Sequence, residues 1–361
     1  MIFLIYTDFD FLIYVVLKEI SVNQVNHLNQ RSKKTYNLKP MPKVTVIIPT
    51  YNYAQYIIEG IDSVLAQATE QMPIEIIVVD DGSTDETQVV LDNYIVSEKI
   101  RYFYQKNQGK AAATRKAVSL ATGKYIFNLD ADDYFLPHKL KTFVNIFENY
   151  PSVIHVGSAA KVIDDKGNHL STESIDALWA NRPVNGIALA TYFLKHNTLW
   201  AGGSTYAVRA DVLKALTIPD AVDMYLDEYL ILGILSQGDS FCFTTPLSIW
   251  RVHGKNYSNM NTQQLIEKNK RLLTSSSGTL AALRQYSELP STLFKLYEFK
   301  HQTRLIASME DNQSKSIVDI LHYGKRMVAL RKEGVAFFKR YTSFNRLFPT
   351  PVLHFLKRQM Q

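Results

Sequence analysis

The sequence predicts an α/β fold in which a mostly parallel sheet is flanked by helices and a helical C-terminal region follows. Short β-branched apolar runs alternate with segments of helical periodicity in the first half of the chain. Such alternation, with helices of about 10–15 residues, implies crossovers between parallel strands. Acidic turns follow the second and the fourth apolar run. From Gln263 onward the pattern is helical to the end.

The first half of the chain contains four predicted strands joined by three predicted helices. The strands are continuous apolar runs typical of strands buried on both faces. They cover Val44–Pro49, Ile74–Val79, Ile100–Tyr104 and Tyr125–Leu129. The helices cover Ile57–Gln67, a segment through Val89–Tyr94, and Ala111–Ala121.

The second half is less regular. Helices are predicted at Leu140–Tyr150, Ile187–Lys195, Asp211–Ala215 and Leu226–Ser236. Strands are predicted at Val153–Val162, Trp200–Val208 and Phe241–Val252. Together these patterns divide the chain into an N-terminal extension (1–40), a catalytic domain (41–260) and a basic helical C-terminal region (261–361).

The two ends of the chain differ from the middle in composition. The apolar stretch at the N-terminus carries Asp8 and Asp10, and carboxylates are costly inside a membrane helix. Residues 1–40 are therefore either an extension that precedes a start at Met41 or a weak surface anchor. The net charge of +6 originates at the other end, where residues 324–361 hold nine Lys and Arg against one acid, Glu333. The single cysteine, Cys242, excludes an intrachain disulfide and suits a cytoplasmic protein.

Two acidic clusters follow neighbouring predicted strands. Asp80 and Asp81 follow the second strand, and Asp130, Asp132 and Asp133 follow the fourth. In open parallel sheets ligands bind at the carboxyl ends of the strands. Carboxylate oxygens are the ligands that Mg²⁺ and Mn²⁺ prefer. The pattern predicts a divalent cation and a nucleotide bound at one edge of the sheet, with Asp130 and Asp132 as metal ligands.

Four segments of the chain carry distinctive motifs in order. They are VTVIIPTYN (Val44–Asn52), VVDDGSTDET (Val78–Thr87), NQGKAAATRKAV (Asn107–Val118) and GKYIFNLDADD (Gly123–Asp133). These segments resemble successive signatures of the family 2 inverting glycosyltransferases, which have the GT-A fold. The resemblance extends to about Asn259. It implies transfer of a sugar from a nucleotide-sugar donor to an acceptor hydroxyl. It also implies a Mn²⁺ or Mg²⁺ cofactor at the leaving diphosphate. A UDP-sugar is the first choice of donor.

The resemblance also implies a donor site. Tyr51 is expected to pack on the nucleotide base, and His253 to bind the metal or the diphosphate. The implied donor contacts are Pro49, Thr50, Tyr51, Asp80, Asp81, Arg115, Asp130 and Arg251. Lys110 and Lys116 depart from the family pattern by adding two cations, whose role the sequence leaves open between assisting the diphosphate and being solvated.

The catalytic base is expected at the start of a late helix. The family carries Glu-Asp there with the second acid as base, whereas this chain has Asp227-Glu228 in reversed order. We take Glu228 as the predicted base and Asp227 as its rival. Acceptor contacts are predicted at Trp200, Gly202 and Gly203, because an indole face stacks on sugar rings and glycines permit close approach.

Several alternatives follow from the same residues. A catalytically silent protein that binds a nucleotide sugar or a membrane would keep this fold, and the reversed acid pair favours it. A sugar-1-phosphate nucleotidyltransferase is the runner-up enzyme, although Thr50-Tyr51-Asn52 stands where its Gly-rich phosphate loop belongs. The basic C-terminal helices predict either contact with anionic membrane, near a glycan or lipid-linked acceptor, or a solvated surface. Nucleic acid is not an expected partner, and the expected role is cell-surface polysaccharide or glycolipid synthesis.

Overall fold

The computed structural model describes residues 43–196, 203–222, 224–254, 262–285 and 289–311. The predicted extension at 1–40, the acceptor candidates Trp200 and Gly202, and the basic segment 324–361 lie outside the described residues. In the described part of the chain, no helix combines the length and the apolar character needed to cross a bilayer.

A ten-stranded sheet forms the centre of the described structure. Its strands are β1 Val44–Thr50, β2 Ile74–Asp80, β3 Arg101–Tyr104, β4 Tyr125–Asn128, β5 Tyr134–Phe135, β6 Val153–Asp164, β7 His169–Glu173, β8 Pro183–Asn185, β9 Tyr206–Arg209 and β10 Asp239–Val252. The helices are α1 Ile57–Leu65, α2 Thr87–Val96, α3 Lys110–Leu120, α4 Lys139–Asn149, α5 Gly186–His196, α6 Ala210–Ala215, α7 Leu226–Leu235, α8 Thr262–Leu283 and α9 Ser291–Asp311.

The strand order is β3-β2-β1-β4-β9-β6-β10-β5, with β7 beside β6 and β8 beside β10. The first four strands are mutually parallel, as the alternating pattern predicts. The sheet then becomes mixed, because β9 runs antiparallel to both β4 and β6. The predicted α/β fold with a mostly parallel sheet is confirmed. The strand predicted from Trp200 begins instead at Tyr206, after a short 3-10 turn at Gly203–Thr205.

Apolar side chains on the two faces of the sheet pack under the helices. Strand β1 is buried along its whole length, as its continuous β-branched sequence predicts. Its alternate residues enter different cores: Ile47 joins the cluster that includes α7, and Val46 and Ile48 join the cluster under α1 and α4. Strand β1 is thus buried on both faces between β2 and β4, and this packing sets the positions from which the loops after the three strands begin.

Glu75 is a buried carboxylate that connects three strands at the opposite end of the parallel sheet. It is 7% exposed and accepts hydrogen bonds from the Thr45 hydroxyl at 2.6 Å, from the Thr122 amide at 2.8 Å and from Arg101 Nη1 at 2.7 Å. Burial alone would raise the pKa of Glu75, but these donors outweigh it and lower the pKa from 4.5 to about 2. The ionised form is thus held more strongly in the folded state.

We expect Glu75→Gln to destabilise the protein at neutral pH by about 1–3 kcal/mol, because buried donors lose an ionised acceptor. A depressed folded pKa contributes stability above the unfolded value of 4.5 that is lost as the pH falls toward about 2. The difference between wild type and variant, measured by urea unfolding, should therefore shrink across that interval. Glu70→Gln, at an exposed turn residue, is the control. A difference independent of pH would contradict the assignment.

Candidate active site

The two acidic clusters lie at the same edge of the sheet. Strand β1 pairs in parallel with both β2 and β4, with Thr50 opposite Asp80 and Ile47 opposite Asn128. Asp130 follows β4 by two residues. The three strands therefore end side by side, and the prediction that both clusters share one edge agrees with the strand register.

Asp132 is in direct contact with His253, which follows β10. Asp132 Oδ2 lies 3.0 Å from His253 Nε2, and both residues are buried. The ring of Tyr56 stacks on the imidazole with 4.7 Å between centroids. Two residues far apart in the sequence, both predicted to lie at the metal, thus lie together.

The donor set at this position suits a divalent cation. Asp130 and Asp132 offer carboxylate oxygens and His253 an imidazole nitrogen. Among the described residues, no group of three or more His, Cys, Asp or Glu side chains is arranged to hold an ion. Magnesium sites for nucleotides commonly use one or two carboxylates and take further oxygens from the substrate phosphates. To hold an ion, Asp130, Asp132 and His253 would therefore need further oxygens from the donor phosphates.

Lys110 bridges two carboxylates from distant parts of the chain. Its Nζ lies 2.8 Å from Asp130 Oδ1 and 3.7 Å from Asp227 Oδ2. Burial opposes the charge on Lys110, but the two carboxylates outweigh it and hold its pKa well above the ordinary value. Burial raises the pKa of Asp227, Lys110 opposes that rise, and the Asp130 charge adds to it. The ammonium offsets the repulsion between the two acids.

Gly203 lies between the same two carboxylates. A Cβ at this position would lie 3.0 Å from Asp130 Oδ1, 3.0 Å from Asp227 Oδ1 and 2.2 Å from Asn128 Nδ2. Only a residue without a side chain fits there. Gly203 therefore permits the approach of β4 to the start of α7. The sequence predicted Gly203 as an acceptor contact, and that contact stays a prediction.

The structure separates the roles of Asp227 and Glu228. Glu228 is 3% exposed and forms a bidentate pair with Arg304 at 2.9 and 3.0 Å, together with a 2.5 Å contact to Lys300. Burial would raise the pKa of Glu228, but these two cations outweigh it and lower the pKa. Consecutive residues on a helix point about 100° apart, since one turn takes about 3.6 residues. The structure therefore places Asp227, the rival candidate, beside Lys110 at the sheet edge and Glu228 in buried ion pairs, and the choice of base stays a prediction.

The predicted nucleotide-base contacts are not equally accessible. Tyr51 is 45% exposed and presents its ring beyond the end of β1. Pro49 and Thr50 are buried within that strand. The following loop is fastened to the loop after β2, because the Asn52 amide donates to Ser83 Oγ at 2.9 Å and Asn52 Oδ1 accepts from the Thr84 amide at 2.8 Å. Tyr51 is the member of this group whose ring is open to a ligand.

Asp80 and Asp81 use their carboxylates inside the protein. Asp80 accepts from the Tyr102 hydroxyl and from the Ser83 amide, each at 2.7 Å. Asp81 accepts from the amides of Gln108 at 2.9 Å and Gly109 at 2.7 Å. Both acids are implied donor contacts, and those contacts stay predictions. In the structure Asp81 fixes the start of α3 and so places Lys110.

The two predicted donor arginines also have protein partners. Arg115 donates to the Ile218 carbonyl at 2.8 Å and pairs with Asp220 at 2.5 Å, away from the acidic loop. Arg251 pairs with Glu59 and donates from Nε to the Asp132 carbonyl at 3.1 Å. Both guanidinium groups therefore hold loops in place, and their implied contacts with the donor stay predictions.

A buried polar network that sequence reasoning missed supports the acidic loop. Ser204 Oγ donates to Asp133 Oδ2 at 2.5 Å and accepts from the Asp130 amide at 3.0 Å. The Ser204 carbonyl accepts from Lys139 Nζ at 2.6 Å, and Lys139 also donates to Ser248 Oγ at 2.5 Å. Burial lowers the pKa of Lys139 and raises that of Asp133. Nothing in the sequence pattern around Lys139 indicates that this lysine is buried. Lys110, in contrast, stands out in the sequence as an extra cation directly after Asn107-Gln108-Gly109.

Comparison with known proteins shows which family the chain resembles. The model of the family "Glycosyl transferase family 2" matches residues 45–215. An uncharacterised glycosyltransferase of Nostoc sp. is 34% identical over 59% of this chain and 66% of its own length. One of Rickettsia typhi is 30% identical over 63% of this chain and 69% of its own length. Chondroitin synthase of Escherichia coli is 27% identical over 71% of this chain and 35% of its own length. The chain thus spans less than two thirds of the first and the last of these relatives.

Solved structures agree with the fold. TarS of S. aureus in complex with UDP-GlcNAc superposes with a TM-score of 0.55 at 17% identity, over 79% of both chains. The complex of TarS with UDP gives a TM-score of 0.52 at 16% identity, over 79% of this chain and 78% of that one. At this identity the likeness concerns the fold alone, which is GT-A.

We expect Ser204→Ala to lower the free energy of unfolding by about 1–3 kcal/mol, because the buried Asp130 amide and Asp133 carboxyl both lose a partner. Denaturant unfolding measures the change. Ser119→Ala, on the exposed side of α3, is the matched control and should change stability by less than about 0.5 kcal/mol. Equal changes in the two variants would contradict the role given to the network.

Proposed function

The chain belongs to glycosyl transferase family 2, and from this premise we propose that it transfers a sugar from a nucleotide-sugar donor to an acceptor hydroxyl with inversion. Asp227 is the proposed general base. The observation that carries the proposal is the meeting of Asp130 and Asp227 around Lys110 and Gly203 at the sheet edge.

The reaction is a direct displacement at the anomeric carbon. The acceptor oxygen forms a bond to that carbon while the bond from the carbon to the donor phosphate oxygen breaks. Asp227 takes the hydroxyl proton, and the nucleoside diphosphate leaves with the bonding electron pair. A positioned base of this kind accelerates a reaction by about 10²–10⁴-fold. Asp227 is suited to the task because its carboxylate lies at the sheet edge while Glu228 is buried in ion pairs.

On the donor side, the exposed ring of Tyr51 is the proposed stacking surface for the nucleotide base. Asp130 is proposed to face the ribose and the donor sugar. UDP-sugar is the first donor to test, because TarS, which has a similar fold, was solved in complex with UDP-GlcNAc. The internal bonds of Asp80, Asp81, Arg115 and Arg251 make these residues supports of the donor site in this proposal.

Asp132, Asp130 and His253 are proposed to hold Mn²⁺ or Mg²⁺. The bound ion would supply positive charge to the departing diphosphate. Arg251 supports this group of residues by donating to the Asp132 carbonyl, and its amide donates to Asp133 Oδ1 at 3.0 Å. Both contacts restrict the loop that carries the proposed ligands.

The acceptor is proposed to be a glycan or a lipid-linked sugar in cell-surface polysaccharide or glycolipid synthesis. Gly203 borders the proposed base, as an acceptor contact should. Contact of the basic C-terminal segment with anionic membrane stays a prediction, since that segment lies outside the described residues.

The decisive experiment compares Asp227→Asn with Glu228→Gln. We expect Asp227→Asn to lower kcat by about 10²–10⁴-fold while the nucleotide affinity stays within about twofold, because the variant loses the proton acceptor and little else. Release of nucleoside diphosphate from a panel of nucleotide sugars, with Mn²⁺ present, measures turnover. Thermal stabilisation by the nucleotide measures binding.

Glu228→Gln should lower the free energy of unfolding together with kcat, because it leaves Arg304 and Lys300 without their buried anionic partner, whereas Asp227→Asn should lower kcat without that loss of stability. Asp92→Asn, at an exposed position in α2, is the control for a neutral surface change. Full activity of Asp227→Asn would contradict the assignment of the base. Donor binding without turnover in the wild type would favour a silent nucleotide-sugar-binding protein.

The proposed metal site has its own test. Asp132→Asn should abolish the additional thermal stabilisation that Mn²⁺ gives to the protein mixed with UDP, because the carboxylate charge that binds the ion is gone. UDP alone should stabilise variant and wild type to a similar extent. Unchanged stabilisation by Mn²⁺ in the Asp132→Asn variant would contradict the metal assignment.

A further inference from the structure

A buried ion cluster lies beneath the start of α7, outside the proposed donor site. Its members are Glu228, Lys300 and Arg304, and the two cations belong to α9. Side-chain exposure is 4% for Glu228, 11% for Lys300 and 14% for Arg304. A buried carboxylate is costly unless it is paired and hydrogen-bonded, and a bidentate guanidinium pair is the most directional way to do both.

The cluster acts on the segment that carries the proposed base. Tyr225 precedes α7 with a φ of +52°, in the left-handed region that a tyrosine adopts only when the surroundings hold it there. The Glu228 amide closes this turn by donating to the Tyr225 carbonyl at 2.9 Å. Arg304 reaches both ends of the turn, because it binds the Glu228 carboxylate and its guanidinium carbon lies 5.8 Å from the centroid of the Tyr225 ring.

Helix α8 holds the chain just before that turn. The Met224 amide donates to Ser275 Oγ at 3.1 Å. Gly278 lets the helix approach closely, since a Cβ there would lie 2.8 Å from the Ala221 Cβ. Helix α8 is in turn joined to α9, where Ser276 Oγ lies 2.9 Å from His301 Nδ1. The two C-terminal helices therefore hold both sides of the segment 224–228.

We infer that Arg304 is a positioning residue that fixes the proposed base Asp227 through Glu228, so that α8 and α9 are part of the catalytic unit. This inference rests on the proposed function. The matched family region ends at residue 215, before all of these residues. Helices that look like a C-terminal appendage in the sequence thus set the geometry of the acid on which transfer depends. Displacement of a catalytic group by about 1 Å costs about 10²-fold in rate.

The test is a double-mutant cycle on the full chain. Arg304→Met keeps the length and apolar volume of the stem but removes the guanidinium. We expect it to lower kcat by about 10²-fold, with the KM for the donor and the affinity for UDP within about twofold of wild type. Arg304→Lys should recover part of kcat, because an ammonium still reaches the carboxylate as a single contact. Arg284 is exposed and lies in the turn directly after α8, so Arg284→Ala should leave kcat unchanged.

The cycle separates positioning from a general structural effect. Because Arg304 acts through Asp227, Arg304→Met should add little to the loss of kcat once Asp227→Asn is present. Independent, multiplying losses in the double variant would overturn the inference. The inference would also be overturned if Arg304→Met had the same kcat as Arg284→Ala. If Arg304→Met fails to fold, Arg304→Lys takes its place in the cycle with the same two outcomes.

The controls also separate failure of the inference from failure of the proposed function. Turnover by the wild type with multiplying losses in the cycle overturns the positioning role and leaves glycosyl transfer intact. A wild type that binds donors but turns none over contradicts the proposed function and overturns the inference with it.

Discussion

Two carboxylates that repel each other are held close together at the edge of the sheet, and the rest of the site is arranged to permit it. The Oδ1 atoms of Asp130 and Asp227 each lie 3.0 Å from the point where a side chain of Gly203 would begin, so they are no more than about 6 Å apart. Lys110 supplies the compensating charge, and the missing side chain of Gly203 supplies the space. The position of Lys110 depends in turn on Asp81, which binds the amides just before it.

The same arrangement explains why so much polar structure is buried under the acidic loop. Asp133 follows two other aspartates. Burial raises the pKa of Asp133, and the negative charges of Asp132 and Asp130 raise it further. Ser204, Lys139 and Ser248 satisfy the polar atoms of this layer, which would otherwise cost stability in a desolvated interior. Ser204 is the residue next to Gly203, so the layer that supports Asp130 also bears on how close β4 comes to α7. Stability and site geometry are therefore properties of one network.

The acid pair at the start of α7 shows how adjacent residues of like charge acquire opposite roles. Asp227 faces the ammonium of Lys110, and Glu228 faces the two cations of α9. Neighbouring residues of a helix point about 100° apart, so the two carboxylates face different parts of the molecule. The C-terminal helices therefore matter for chemistry as well as for burial. The matched family region ends at residue 215, before this pair.

Strand periodicity and the order of strands along the chain are local and repeated signals, so they suffice to predict the parallel half of the sheet and the edge where its acids meet. The motifs also predict Asp132, His253 and Gly203 as site residues, and these assignments stay predictions. The tertiary structure settles which of Asp227 and Glu228 faces that edge, because the answer depends on Arg304 and Lys300, more than seventy residues away. It likewise decided that Asp80, Asp81, Arg115 and Arg251 bind the protein itself, since a charged side chain takes whichever partner the fold brings within reach.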